Sequence, residues 1–188
     1  WATHGKPSVR NAHPHRAGRV AVVHNGIIEN YRAIRQELEA EGREIESETD
    51  TELVAHLIDR ELRRGAPDLA TAVRRAAKLM VGSYAIAVVS EADPDHIVAA
   101  KQGGSPVILG VGEGESFLGS DIPSLLPYTR HMVFLQDGDF AVLGRSELAI
   151  FDVEGAPLHR AAKTINWDPV SAEKGGYDRF MQKEIYEQ

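Results

Sequence analysis

At Tyr84 the sequence changes texture, and that change limits what the chain can fold into. Upstream, apolar residues keep helical spacing: Tyr31, Ile34 and Leu38, then Leu53, Leu57, Ile58 and Leu62, then Leu69, Val73 and Leu79. Downstream, short strand candidates follow at 84–89, 96–101, 106–111, 116–119, 132–136, 139–143 and 147–152. Turn clusters divide them, among them Asp93-Pro94-Asp95, Gly112-Glu113-Gly114 and Asp137-Gly138. Helices followed by a run of strands predict an α+β fold, with antiparallel sheets covered by helices.

The finer expectations follow from local chemistry. Residues 19–24 are short, β-branched and almost wholly apolar, which predicts a strand buried on both faces and ended by Asn25-Gly26. Asn30 is a good N-cap for the first helix, and Gly42 stops it. A short strand is expected at 43–46. Thr49 and Glu52 form a capping box for the second helix, which ends at Gly65; Pro67 suits the first turn of the third. A short helix is expected near Pro123 to Leu126.

The 188 residues are enough for one domain with at most an appendage. With 21 Lys and Arg against 28 Asp and Glu, the net charge is −7, which argues against a nucleic-acid or anionic-membrane partner. No cysteine is present, so disulfides and Cys-ligated zinc are excluded, and a reducing, cytoplasmic setting is expected. The longest apolar run, Tyr84 to Val89, is far short of the roughly 20 residues that span a bilayer. The chain opens on Trp rather than Met and closes, at 181–188, on an uncapped helical stretch. Both ends read as cut, so a segment of a longer protein is expected.

The densest chemistry lies in the first fifty residues. The side-chain NH₂ of Asn25 and the backbone N–H of Gly26 can converge on one oxygen, as an oxyanion hole requires. Asn-Gly is equally a common tight turn. Asp50, in a first helical turn, is favoured there by the helix dipole alone. Because Thr49 is available to cap, Asp50 is also free to meet a substrate ammonium. His13-Pro14-His15 could offer two imidazoles to a metal, but no third ligand stands at a recognisable spacing, so hydrogen-bonded structural histidines are expected and no metal. Gly110-Val111-Gly112-Glu113-Gly114 lacks the Lys-Ser/Thr ending of a phosphate loop and reads as a hairpin turn.

Three motifs carry a resemblance. Trp1-Ala2-Thr3-His4-Gly5, His24-Asn25-Gly26-Ile27-Ile28-Glu29-Asn30 and Ser47-Glu48-Thr49-Asp50-Thr51-Glu52 resemble, in that order, those of the class II glutamine amidotransferases. The closing run, Met181 to Gln188, is similar to the end of the glutaminase domain in the amino-sugar-forming branch of that family. The resemblance implies a glutaminase domain over 1–180 and a final helix over 181–188 leading to a sugar-isomerase domain. It implies the N-terminal-nucleophile hydrolase fold, a four-layer α/β/β/α sandwich of antiparallel sheets, here short of its N-terminal part.

The implied reaction is hydrolysis of L-glutamine, with ammonia passed on to convert fructose 6-phosphate into glucosamine 6-phosphate. No cofactor is implied, and a homo-oligomer is expected. By resemblance Asn25 and Gly26 form the oxyanion hole, Asp50 accepts the α-ammonium, and Thr3, His4 and Gly5 hold the α-carboxylate. Trp1 gates ammonia passage, and His13 matches a position near the pocket. The family's nucleophile is an N-terminal cysteine acting with its own α-amine, and an arginine precedes the tryptophan. Neither is present here, so the chain alone is expected to be inactive. A non-catalytic glutamine-binding or assembly module of the same fold is the alternative.

Overall fold

The computed structural model describes residues 5–166. Trp1, Thr3, His4, Trp167 and the closing helix expected at 181–188 lie outside the described residues. The elements are β1 (His15–Ala17), β2 (Val20–Ile28), α1 (Tyr31–Ala40), α2 (Asp50–Arg63), α3 (Leu69–Ala77), β3 (Gly82–Ser90), β4 (Asp93–Gln102) and β5 (Ile108–Val111). There follow β6 (Ser116–Gly119), α4 (Ile122–Leu125), β7 (His131–Phe134), β8 (Phe140–Leu143), β9 (Leu148–Phe151), β10 (Pro157–Leu158) and β11 (Lys163–Thr164). They form a seven-stranded sheet, ordered β1-β2-β3-β4-β8-β9-β10, and a four-stranded sheet, ordered β11-β7-β5-β6. Every pairing among the described residues is antiparallel.

The two-residue alternation of strands sorts the side chains into layers. Tyr84, Ile86, Val88, Val98, Ala100 and Phe140 pack with Leu53, Leu57, Ile58 and Val73 of the helices. Their neighbours Ala85, Ala99 and Ala141 turn the other way and meet Leu109 and Val133 of the small sheet. On that sheet's far face Ile108 and Met132 pack against Leu125 and Leu126. The order of layers is therefore helices, large sheet, small sheet and the short α4, an α+β sandwich as expected.

Several boundaries differ from expectation, each for a local reason. β2 does not stop at Asn25-Gly26. It runs on to Ile28 and pairs with β3 throughout, from Val20 opposite Ser90 to Ile28 opposite Gly82. The strand is also not buried on both faces: Val20, Val22, His24 and Ile28 are inside, whereas Val23 and Ile27 remain 41% and 42% exposed. Its near-continuous apolar run had hidden this alternation.

No strand forms at 43–46. There the N–H groups of Glu46 and Ser47 donate to the Glu52 carboxylate instead of to a ladder. α3 is capped by Asp68, whose carboxylate accepts from Thr71 N, so Pro67 precedes the cap and Leu79 lies past the helix. Asp93-Pro94-Asp95 belongs to β4, and the turn falls at Glu91-Ala92. The Gly112–Gly114 segment is the expected hairpin turn, joining β5 to β6.

Candidate active site

The site is organised by one uncovered edge. β1 pairs with β2 only from Val20 to Val22, which leaves the edge beyond Val22 without a neighbouring strand among the described residues. Glu29 N donates across to Val81 O on the β3 side (2.8 Å). Ladder alternation therefore turns the Ile28 N–H to the open edge, where Asp50 Oδ2 accepts it at 2.8 Å. Two residues back, Gly26 presents its N–H to the same edge, about 6.6–6.8 Å along the strand. Asp50, 3% exposed, is the first residue of α2, so the helix dipole also favours its charge.

Gly26 is required by geometry. Its φ is +137°, and a Cβ there would lie 2.1 Å from the Ser83 carbonyl oxygen. Asn25 has the opposite parity to His24, so its exposed side chain leaves the strand on the face between the sheets. It lines a groove of about 190 Å³ with Val23, Ala85, Ala87, Pro106 and Val107. Asn25 and Asp50 thus meet the same stretch of β2, one from the face and one from the edge. The tight-turn reading of Asn25-Gly26 is excluded by the continuous ladder.

The first turn of α2 is clamped by imidazoles and hydroxyls. Thr51 Oγ1 lies 3.3 Å from His13 Nε2 and 3.2 Å from His24 Nδ1. His24 Nδ1 is also 4.0 Å from Asp50 Oδ1. His15 Nε2 lies 3.0 Å from Thr49 Oγ1, which accepts from Glu52 N and contacts Ser47 Oγ at 2.9 Å. The His13 and His15 rings meet edge to face, with centroids 5.8 Å apart.

Burial lowers the pKa of both His13 and His15. For His13 the Asp50 charge opposes that effect, whereas for His15 the next contribution, from His13, reinforces it. Each imidazole of the His13-Pro14-His15 pair is thus engaged by a threonine. Among the described residues no three His, Cys, Asp or Glu side chains gather as a metal site needs.

Glu52 completes the clamp. Burial alone would raise its pKa, but hydrogen bonds from His56, Ser47 and the Glu46 and Ser47 backbone outweigh it and bring the value from 4.5 to about 2. A carboxyl whose pKa falls on folding stabilises the fold above its unfolded pKa, and the contribution fades as pH drops through the folded value. Glu52→Gln should therefore lower stability by about 3 kcal/mol at pH 7. In urea unfolding the gap between the two proteins should close between pH 4.5 and about 2; a gap independent of pH would contradict this account.

Gly5 sits against the loop that leads into α2. Its φ is +80°, and a Cβ would lie 2.5 Å from Asn11 Nδ2 and 3.1 Å from Glu48 Cβ. Asn11 and Glu48 tie the two segments together: Asn11 Nδ2 donates to Glu48 Oε2 (3.1 Å) and to Lys6 O (2.9 Å), and Glu48 N donates to Asn11 Oδ1 (3.0 Å). The structure therefore brings Asp50 and, through Thr51, His13 to the strand that carries Asn25 and Gly26, and it sets Gly5 against Asn11 and Glu48, two residues before Asp50. Sequence reading missed Asn11 and Thr51 as parts of this assembly and gave Thr49 only as the cap of α2, which it is. The even spacing of Val20, Val22, His24 and Ile28 could have put His24 on the helix side.

Comparison with known proteins gives the family of the chain. Residues 7–127 match the family described as "Glutamine amidotransferase domain", and the chain belongs to it. Over its whole length it is 50% identical to the glutamine–fructose-6-phosphate aminotransferase (isomerizing) of Aquifex aeolicus and 52% identical to that of Thermus thermophilus. The chain spans 31% of the length of each.

Among solved structures, the B. subtilis glutamine phosphoribosylpyrophosphate amidotransferase complexed with ADP and GMP superposes with a TM-score of 0.67, over 78% of this chain and 32% of that one. A structure titled as the allosteric regulatory enzyme of purine biosynthesis gives 0.66, over 77% of this chain and 31% of that one. At 21% identity, both establish a shared fold, the N-terminal-nucleophile type. Among the described residues no helix is long and apolar enough to cross a membrane.

Proposed function

We propose that this chain is the glutamine-binding part of a cytoplasmic enzyme that takes ammonia from L-glutamine and uses it to convert fructose 6-phosphate into glucosamine 6-phosphate. The observation that carries this reading is the shared edge of β2, where the Gly26 N–H and the Asp50 carboxylate face the same space two residues apart. An extended glutamine has a comparable span between its α-nitrogen and its side-chain carbonyl. Identity of 50–52% with enzymes of that name supports the choice of acceptor sugar.

In this reading Asp50 takes the α-ammonium, and its second oxygen adds to the Ile28 bond rather than replacing it. Gly5, with Thr3 and His4, holds the α-carboxylate, while His13 borders the pocket. Attack on the side-chain amide puts negative charge on its oxygen, and the Asn25 amide and Gly26 N–H stabilise that charge. The Gly26 N–H and the backbone of Asn25 are held before the reaction by the β2–β3 ladder. The amide C–N bond breaks, water supplies the glutamate oxygen, and ammonia leaves past Trp1 toward the sugar-isomerase domain.

The family's cysteine nucleophile is not among these 188 residues. Purified and free of contaminating amidase, the chain alone should therefore release no ammonia from L-glutamine. The natural gene product that carries it should form glucosamine 6-phosphate from glutamine and fructose 6-phosphate. Ammonia release by the chain alone would overturn the assigned nucleophile. A gene product that makes no amino sugar would overturn the assigned acceptor.

A further inference from the structure

The start of α2 meets β2 through one buried ring. His24 and Gly26 lie two residues apart on β2 and so face the same side of the sheet, the side that α2 covers. The His24 side chain is 1% exposed. At one end of its ring, Nδ1 lies 3.2 Å from Thr51 Oγ1 and 4.0 Å from Asp50 Oδ1. At the other end, Nε2 lies 3.0 Å from where a Cβ on Gly26 would stand. A single imidazole thus fills the gap between the carboxylate and the segment that carries Asn25 and Gly26.

Thr51 holds that ring in place. It is 3% exposed, and its hydroxyl also lies 3.3 Å from His13 Nε2. A hydroxyl both donates and accepts, so it can bond to two imidazoles at once. The contact joins the neighbours of the two site groups, since Thr51 follows Asp50 and His24 precedes Asn25. Ile28 N–H pins Asp50 Oδ2 from the edge of β2. His24 sets the spacing from the face of the same strand.

We propose that His24 is a positioning residue for the glutamine site: locked by Thr51, its ring sets the spacing between Asp50 and the donors of Asn25 and Gly26. This rests on the assignment of Asp50 to the substrate ammonium and of Asn25 and Gly26 to the amide oxygen. The length of glutamine fixes the spacing the site must keep. A ring that shifts therefore puts both ends of the substrate out of register at once, and small misplacements of that kind are costly in rate.

Variants of Thr51 in the natural gene product test this role. Thr51→Val keeps the shape of the side chain and removes the hydroxyl, whereas Thr51→Ser keeps the hydroxyl. Thr51→Val should raise the KM for glutamine and lower kcat together, reducing kcat/KM about tenfold or more, with synthesis from free ammonia unchanged. Thr51→Ser should retain both constants. His24→Asn keeps an amide within reach of Thr51 and removes the part of the ring that reaches Gly26. It should lower kcat by a larger factor than it raises KM, and it carries the test if Thr51→Val does not fold.

A Thr51→Val enzyme that unfolds at lower temperature but keeps both constants would show a purely structural hydroxyl and overturn the proposal. An unchanged kcat in His24→Asn would do the same. Asp50→Asn distinguishes the underlying assignment. If it leaves the glutamine KM unchanged, Asp50 does not bind the ammonium, and the proposal falls with that reading. If it raises KM while Thr51→Val changes neither constant, only the positioning role of His24 fails.

Discussion

Replacing Gly26 with alanine should abolish glutamine-dependent amino-sugar formation while leaving synthesis from free ammonia intact. Two penalties coincide at this position. An L side chain at φ +137° is strained by about 1–3 kcal/mol. The added Cβ would lie 2.1 Å from the Ser83 carbonyl oxygen, a backbone atom held in the β2–β3 ladder. Relief requires the strand to shift, which moves both the Gly26 N–H and the Asn25 side chain. Loss of aligned donors in such a site lowers kcat by roughly 10²–10³-fold. Rates with glutamine and with ammonia as nitrogen source, measured beside thermal unfolding, check this. An alanine variant with an unchanged glutamine rate would remove Gly26 from the site.

The second large effect is expected at Asp50. Asp50→Ala removes the charge proposed to face the substrate ammonium and also strips the Ile28 N–H of its acceptor. Losing one member of a buried, hydrogen-bonded charge pair costs about 2–5 kcal/mol of binding, a rise in glutamine KM of roughly 30-fold or more. The orphaned N–H adds about 1–3 kcal/mol of lost stability. Asp50→Asn separates the two: it keeps an acceptor for Ile28 and loses the charge, so KM should rise while stability falls only by the helix-dipole contribution, about 0.3–1 kcal/mol. Asn25→Ala should behave differently again, lowering kcat with little change in KM, because its donor matters most once charge develops on the amide oxygen. Identical kinetic signatures for the Asn25 and Asp50 variants would contradict these separate roles.

Much of this site was legible in the sequence because its parts are strong local signals. Thr49 and Glu52 announce the start of α2, and the glycine breaks at 42, 65 and 138 fall where positive φ is needed. The alternation of Ile86, Val88, Val98 and Ala100 against Ala85 and Ala99 was implicit in short strands of mixed residue size. Asn25-Gly26 was not legible as strand. The dipeptide has the chemistry of a turn, and only pairing with Gly82–Ser90, more than fifty residues on, holds it extended. Residues 43–46 failed for the opposite reason, because a carboxylate from the next helix took the N–H groups a ladder would have used. The His15–Thr49 contact joins residues 34 positions apart, and no periodic pattern encodes such a pair.

The most direct test is a crystal structure of the natural gene product with L-glutamate, the hydrolysis product, bound. The α-ammonium should lie about 2.7–3.0 Å from the Asp50 carboxylate, with a side-chain carboxylate oxygen at similar distance from the Gly26 N–H and the Asn25 amide. Glutamate bound elsewhere, or bound along β2 with its ammonium turned away from Asp50, would contradict the account.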